Sequence, residues 1–457
     1  MSEQSPKHHA VPTFDEMTSV EIGAAIKENA VILISLGATE QHGAHLPLGA
    51  DTMQGIELAR RTVARLHAEG HPAIVGPAIP FGPRGFLSET PIKLPGNVNL
   101  SASTFMKVLE EIGRERPFAE STPISISELD LESPGPGGIL VTIQASGLCH
   151  SDLSVVDGNR VRPVPMLLGH EAAGRIIELG DGVDSLSVGT RVVMTFLPRC
   201  GECAGCATDG RMPCTVGSAA NNDGSLLGGA HRLRRSGENV KHHLGVSGFA
   251  THAVVNAKSV VPVDDDIPAE IAAVLGCAVL TGGGALLNAA KPRPADTVMV
   301  VGLGGVGMAA ILTARALGVE NVIGVDALES KLAQALELGA TEVFTPSGLS
   351  ESGVRADIVV EAAGNARAFE TAVAATAAGG TTVTVGLPAP DARSSISPLG
   401  LVAEARTIIG SYLGSAVPSR DIPIYAQLWR DGKLPVEKLI SSRIELADIN
   451  SGMDELA

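Results

Sequence analysis

All six cysteines of this 457-residue chain fall at positions suited to holding zinc. Four form one run, CGECAGCATDGRMPC, as Cys200, Cys203, Cys206 and Cys214. Spacings of two, two and seven residues let a short loop wrap one ion. Four thiolates then close a tetrahedral shell with no open position, which makes a structural site. Four close cysteines also ligate iron–sulfur clusters or form redox CxxC pairs. Zinc is favoured because the run lacks the proline-following cysteine of bacterial ferredoxins. The other two, Cys149 in GLCHSDL and Cys277 in GCAVLTGGG, lie far apart with His170 of GHEAAG between them. Three such ligands leave one position open, as catalysis at zinc requires. Taken alone, a cysteine in an apolar run such as Cys277 is more often plain core.

A second motif supplies what that open site would need. In TVMVVGLGGVGMAAILTARALG, residues 297 to 318, a β-branched run leads into Gly302-x-Gly304-x-x-Gly307 and then a helix-forming stretch. Glycines there permit a tight turn and close approach of backbone to a pyrophosphate, which rests on the helix N-terminus. A second strand, NVIGVD, ends in Asp326, at the distance where a carboxylate meets the adenosine ribose. That carboxylate repels a 2′-phosphate, so NAD is expected over NADP. Among 53 glycines a lone GxGxxG would count for little. The ordered set of strand, glycines, helix, strand and acid counts for much more.

From about residue 119 to 457 the chain resembles the zinc-dependent medium-chain alcohol dehydrogenases. The likeness runs through GLCHSDL, LLGHEAAG, the four-cysteine loop, GVSGFATHAVV, GCAVLTGGGALLNAA, GLGGVG and RTIIGSYLGS. Two cysteines and one histidine are that family's catalytic ligand set. The resemblance implies that Cys149, His170 and Cys277 hold the catalytic zinc, with Glu171 able to approach it during ligand exchange. It implies that Ser151 takes the alcohol proton and that Asp152 orients a zinc ligand. His150 matches a position on the cofactor phosphate, and Lys331 one near the adenosine ribose. An alcohol is too weak an acid to ionise in neutral water, and a zinc site lowers that barrier so that hydride can pass to the nicotinamide. Many relatives carry a histidine three residues after the relay hydroxyl. Ser154 stands there instead, so proton release needs another base or solvent.

The segment before residue 119 carries different chemistry. VILISLGATEQHGAHLPLGADTMQGIELARR places Glu40, His42, His45 and Asp51 in one turn-rich loop after an apolar strand. Carboxylates and imidazoles this close can bind divalent ions. The string resembles the creatininase family of metal-dependent amidohydrolases, including members associated with processing of the redox peptide mycofactocin, and the likeness implies metal ligands at Glu40, His42 and Asp51. PAIPFGPRGFLSETP and SASTFMKVLEEIGRE extend it to about residue 116. The family's later His-Gly-Gly-Asn segment is absent, so half the metal shell is missing. At the other end, SGMDELA stops about a dozen residues before the dehydrogenases' usual terminus, where relatives place a last strand and a basic side chain near the cofactor phosphate.

These readings imply an α/β protein in three parts. Residues 1–118 form a partial α/β creatininase-like segment. Residues 119–278 and 415–457 make a GroES-like, β-rich catalytic domain. Residues 279–414 make a Rossmann domain, a doubly wound parallel sheet. The last follows from alternation of TVMVV, NVIGVD, DIVVEAAG and TTVTVG with helices ESKLAQALELGA and RAFETAVAATAAGG. The insert after Cys214, NNDGSLLGGAHRLRRSGENVKHH, is similar to the branch that includes class III and glutathione-dependent formaldehyde enzymes. It reads equally as a solvated loop.

Composition narrows the class. Aromatic residues are 3% against 44% hydrophobic overall, so Ala, Val, Leu and Ile must fill the cores. A net charge of −16 argues against nucleic acid or an anionic membrane as partner. Residues 271–290 and 297–318 are long enough to span a bilayer, but glycines, Cys277 and Arg315 favour buried helix and strand. MSEQSPKHH shows no export signal, and free thiolates suit a reducing compartment, so a cytoplasmic enzyme is expected. The leading reading is an alcohol dehydrogenase with NAD and two Zn2+ per chain, acting on a small alcohol or aldehyde as a homo-oligomer, dimer or tetramer. A variant keeps its nicotinamide bound and passes electrons to mycofactocin. The alternatives are a metal-dependent amidohydrolase on the N-terminal segment and a non-catalytic NAD- or zinc-binding remnant.

Overall fold

A computed structural model of the chain describes Met17 and residues 30–35, 50–68, 70–76, 124–390 and 392–456. It falls into two compact units, residues 1–121 and 122–457. In the first, strand Val31–Leu33 pairs in parallel with Ala73–Val75, and helix Ala50–Ala68 connects them. Ala59 and Val63 on one helix face meet Ala73 and Val75, with Leu33 and Leu66 packed alongside. This is a βαβ unit, as the partial α/β segment requires. Glu40, His42 and His45 lie outside the described residues. Asp51 sits in the first turn of the helix, with its side chain also outside them.

In the second unit, five antiparallel strands form one sheet. Their order is His252–Asn256, Gly138–Gly147, Glu171–Leu179, Arg191–Met194 and Val260–Val263. Ile139, Val141, Ile176, Val192 and Met194 project into a shared core, the alternation expected of short β-branched runs. A smaller sheet pairs Asp130–Leu131 with hairpin Leu233–Arg235 and Glu238–His242, and then with Met166–Leu167. The insert after Cys214 is therefore not a solvated loop throughout. It supplies that hairpin, and His242 and His243 are buried at its end.

The remaining strands make a six-stranded parallel sheet. Taken in chain order as Thr297–Val301, Asn321–Val325, Glu342–Phe344, Ala356–Glu361, Thr376–Thr384 and Thr407–Gly410, they lie side by side as 3-2-1-4-5-6. This is the doubly wound dinucleotide-binding order, with its crevice between the first and fourth strands. Two of these strands, Glu342–Phe344 and Thr407–Gly410, are additional to the four expected. One boundary also moves: the helix expected through RAFETAVAATAAGG ends at Ala374, and TAAGG joins the next strand. Thr376 pairs with Ala356 across the sheet, and its hydroxyl lies 2.6 Å from that of Thr382. Gly379, at φ +74°, is also a poor continuation of a helix.

One helical run, Ala269–Ala290, is long and apolar enough to cross a membrane by length and composition, but most of it is buried inside the protein. It carries π-helical turns at Leu275–Val279 and Ala285–Ala290. Such turns re-aim a side chain within a helix, and the first holds Cys277.

Candidate metal and nucleotide site

Cys149 caps the helix His150–Val156, His170 precedes strand Glu171–Leu179, and Cys277 rides the π turn of the long helix. These three segments bring the donor atoms of Cys149, His170, Glu171 and Cys277 within 4.8 Å of one another. His170 Nε2 stands 3.5 Å from Cys277 Sγ. A tetrahedral ion with bonds of about 2.0 Å to nitrogen and about 2.3 Å to sulfur would set them about 3.5 Å apart. The donor set fits zinc.

Electrostatics points the same way. Hydrogen bonding from Cys277 holds the Cys149 thiol well below its usual range, against burial and with help from His170. The same contact with Cys149, together with burial, pushes Cys277 well up. Burial pushes Glu171 up to about 8, and the Cys149 thiolate adds to this. The pocket thus holds more acidic donors than it can ionise without a cation, and a divalent ion is what would let them ionise together.

The imidazole of His170 is oriented from behind. Asp152, fully buried, lies 3.0 Å through Oδ2 from His170 Nδ1 and 3.0 Å through Oδ1 from His243 Nδ1. Its Oδ1 also accepts the backbone N–H of Gly169 at 3.1 Å. Burial works against a charge on Asp152, but the two imidazoles outweigh it and hold the carboxyl well below the usual range. His170 is correspondingly raised despite burial, through Asp152 and Cys149. A carboxylate behind a metal-binding histidine fixes its tautomer and ring direction. His243 was not foreseen from the sequence. Its only signal is a His-His pair closing a charged insert just before apolar LGVSGF.

Ser151 occupies the first turn of helix His150–Val156, half-buried, and His150 beside it is exposed. Ser154 donates its hydroxyl to the His150 carbonyl at 2.8 Å. Two aromatic rings, also unforeseen, wall the site. Phe196 meets His170 edge-on at 5.5 Å and Tyr412 edge-on at 5.9 Å between centroids.

The glycine motif takes the positions its chemistry needs. Gly302 follows strand Thr297–Val301 at φ +92°, where a side chain would strike Ala363. Gly304 caps helix Gly305–Ala316 and faces open space. Gly307 packs so close to the Gly302 carbonyl that no side chain fits. Asp326 stands just past strand Asn321–Val325, where Oδ2 accepts Leu303 N–H at 2.8 Å and Oδ1 accepts Leu328 N–H at 3.0 Å. Those bonds turn the carboxylate toward the glycine loop. Lys331 lies in the next helix, Glu329–Glu337, half-buried.

The four-cysteine run closes on itself. Sulfur separations are 3.9 Å for Cys200–Cys206 and 3.8 Å for Cys203–Cys214, and a zinc tetrathiolate has edges of about 3.8 Å. Backbone N–H groups of Cys200, Gly201, Cys206 and Gly217 donate to the sulfurs at 3.2–3.4 Å. Cys214 caps helix Thr215–Asp223 through its sulfur, where the helix dipole favours a thiolate. Hydrogen bonds led by Thr215 pull Cys203 down to about 5, while burial pushes Cys206 up to about 11.

The chain is similar to known proteins along most of its length. Residues 135–265 match the alcohol dehydrogenase GroES-like domain, residues 305–430 the zinc-binding dehydrogenases, and residues 15–116 creatinine amidohydrolase. A putative alcohol dehydrogenase D of Mycobacterium tuberculosis is 34% identical over 349 residues, which is 74% of this chain and 95% of that protein. An NDMA-dependent alcohol dehydrogenase of Amycolatopsis methanolica is 35% identical over 344 residues, 73% of this chain and 92% of that one. Among solved structures, benzyl alcohol dehydrogenase from Acinetobacter calcoaceticus superposes with a TM-score of 0.69. It is 30% identical and covers 74% of this chain and 94% of its own.

Proposed function

The chain belongs to the zinc-binding alcohol dehydrogenases, and from that premise we propose how its own residues carry out oxidation of an alcohol to an aldehyde or ketone. Cys149, His170 and Cys277 hold a catalytic zinc, with Glu171 as the carboxylate that can exchange onto it. The observation that carries this is the gathering of those four donors from three distant segments within 4.8 Å. When bound, the metal acts as a Lewis acid that lowers the pKa of a substrate hydroxyl.

The protein's part is positioning and proton handling. Ser151 accepts the alcohol proton, and Asp152 keeps His170 Nε2 directed at the metal position. Phe196 and Tyr412 exclude water, which strengthens charge interactions inside. Gly302, Gly304 and Gly307 let a dinucleotide pyrophosphate reach the N-terminus of helix Gly305–Ala316. Asp326 beside that loop favours NAD over NADP, with Lys331 near the ribose and His150 near the phosphate. Ser154 is bonded to its own helix carbonyl, so the proton leaves through another base or solvent.

Cys200, Cys203, Cys206 and Cys214 hold a second, structural zinc. The enzyme works on a small molecule in the cytoplasm, as a homo-oligomer. The test is zinc content and NAD reduction on purified protein: about two zincs per chain and NADH formation with a primary alcohol are expected. Neither NADH formation nor NDMA turnover with any alcohol tried would sink the reading. Turnover of NDMA with no added NAD would instead mean that nicotinamide stays bound. That outcome is motivated by the relative named for NDMA dependence.

A further inference from the structure

Arg420, in the first turn of helix Pro418–Arg430, holds three parts of the molecule at once. Its Nε and Nη2 grip the fully buried carboxylate of Asp421 as a fork, and Nη2 also donates to Asn288 Oδ1 at 2.9 Å. Asn288 belongs to the helical run that carries Cys277. The third arm, Nη1, meets Asp209 Oδ2 at 2.9 Å. Asp209 stands inside the four-cysteine loop, just after the turn Cys206–Thr208. Bonds to Asp421 and Asn288 suffice to brace the start of the helix. They leave the arm to Asp209 unexplained.

Between these anchors lies the turn that carries Tyr412. Asn288 Nδ2 donates to the Gly414 carbonyl at 3.1 Å and to Asp421 Oδ2 at 3.0 Å, and Asp421 Oδ2 accepts the Val417 N–H at 3.0 Å. Leu413, Gly414 and Ser415 are all left-handed, at φ +51°, +66° and +51°. Two of them carry side chains, and such backbone persists only where its surroundings fix it. Here they fix it closely. A side chain on Gly284 would strike the Gly414 carbonyl, and one on Gly210 of the four-cysteine loop would strike the Ser415 carbonyl. Tyr412, one residue before the left-handed run, meets Phe196 edge-on and packs on the same core as Cys149 and Cys277.

We propose that Arg420 is a positioning residue for the alcohol pocket: through Asp209 it passes order in the four-cysteine loop to the turn that sets Tyr412. An exposed ion pair alone would count for little. This guanidinium is already fixed by its fork on Asp421, so little freedom is lost in reaching Asp209. The inference rests on the dehydrogenase reading and adds a residue to that same site. Coupling is reciprocal, so filling the pocket must also steady the loop.

The experiment uses the full zinc-loaded chain. Alkylation of Cys203 and Cys206 by iodoacetamide, quantified on their peptides by mass spectrometry, reads the loop without turnover. The pocket is filled with NADH and with benzyl alcohol or 1-hexanol, whichever the enzyme oxidises with the lower KM. Filling it should slow alkylation about threefold in wild type. Asp209→Asn, an exposed change that keeps size and fold, should abolish that protection. It should also raise KM for the same alcohol about threefold, with kcat and the KM for ethanol within about twofold, because a small alcohol calls less on the wall that Tyr412 makes. Arg420→Lys, which keeps the charge but loses the fork, should fall between. Turnover of the alcohol with no protection of the loop would leave the dehydrogenase standing and overturn the role of Arg420. Protection undiminished in Asp209→Asn, or equal KM changes for both alcohols, would overturn it too. No turnover of any alcohol would sink the dehydrogenase reading, and this role with it.

Discussion

The two metal-suited clusters in this chain use the same sulfur chemistry in opposite settings. Cys200, Cys203, Cys206 and Cys214 come from one loop of fifteen residues, three of them half-buried, and each sulfur finds another at about the edge length of a zinc tetrathiolate. Cys149, His170 and Cys277 come from three segments and two kinds of secondary structure, with His170 and Cys277 buried. On the reading proposed above, the first cluster spends all four positions on protein ligands and orders a loop, while the second keeps a place for substrate, with Asp152 between His170 and His243 and Glu171 among the donors. Closure suits stability, and openness with a supporting shell suits catalysis.

The sharpest way to break that comparison is to remove one ligand from each. His170→Ala should lower kcat/KM by on the order of 10³-fold or more and remove one zinc per chain, while the melting temperature changes little. Cys214→Ser should do the reverse. Loss of the closed site should cost about 3–5 kcal/mol, seen as a melting temperature about 10 °C lower, with much of the activity kept at low temperature. If His170→Ala destabilised the fold more than Cys214→Ser, the division of labour would be wrong.

The same contrast explains what the sequence made readable. The four-cysteine loop and the glycine motif are local, so spacing alone carries their chemistry. The proposed catalytic set is spread over 129 residues, from Cys149 to Cys277, and no spacing rule reaches that far. It was readable only through likeness to a family. His243, Phe196 and Tyr412 were missed because each joins the site through tertiary packing: a hairpin folded back, a ring turned edge-on. Strand Glu342–Phe344 was missed for a different reason. It has three residues, one of them an exposed Glu, and is held by its neighbour Asn321–Val325 more than by its own propensity.

A smaller effect sharpens the picture of the open site. Asp152 faces both His170 and His243 at 3.0 Å. Asp152→Asn keeps the shape and removes the charge, and should weaken zinc retention against a chelator by about 10–100-fold. His243→Asn, one step further out, should cost about tenfold or less. Both should leave the four-cysteine zinc in place. Unchanged release of the weaker zinc from Asp152→Asn would mean that the carboxylate does not position His170.

The smallest expected effect is on pH. His242 ends the hairpin that also delivers His243, and its Nε2 accepts the backbone N–H of Arg232 at 3.1 Å, which requires a neutral ring. Burial, with His231 and Arg232 adding repulsion, pulls its pKa down to about 3, against about 6.5 in an unfolded chain. Below about pH 6.5 the unfolded chain takes up this proton and the folded one does not. Stability from this residue is therefore complete above that pH and is lost as pH falls toward 3, with a slope of at most about 1.4 kcal/mol per pH unit. Denaturant unfolding between pH 7 and pH 5 should show that slope in wild type and lose it in His242→Gln, whose amide oxygen can still accept from Arg232. Because His242 directly precedes His243, which faces Asp152 behind His170, the same acid shift should loosen the catalytic zinc before the four-cysteine zinc. Simultaneous loss of both metals on acidification would mean that the hairpin does not couple selectively to the open site.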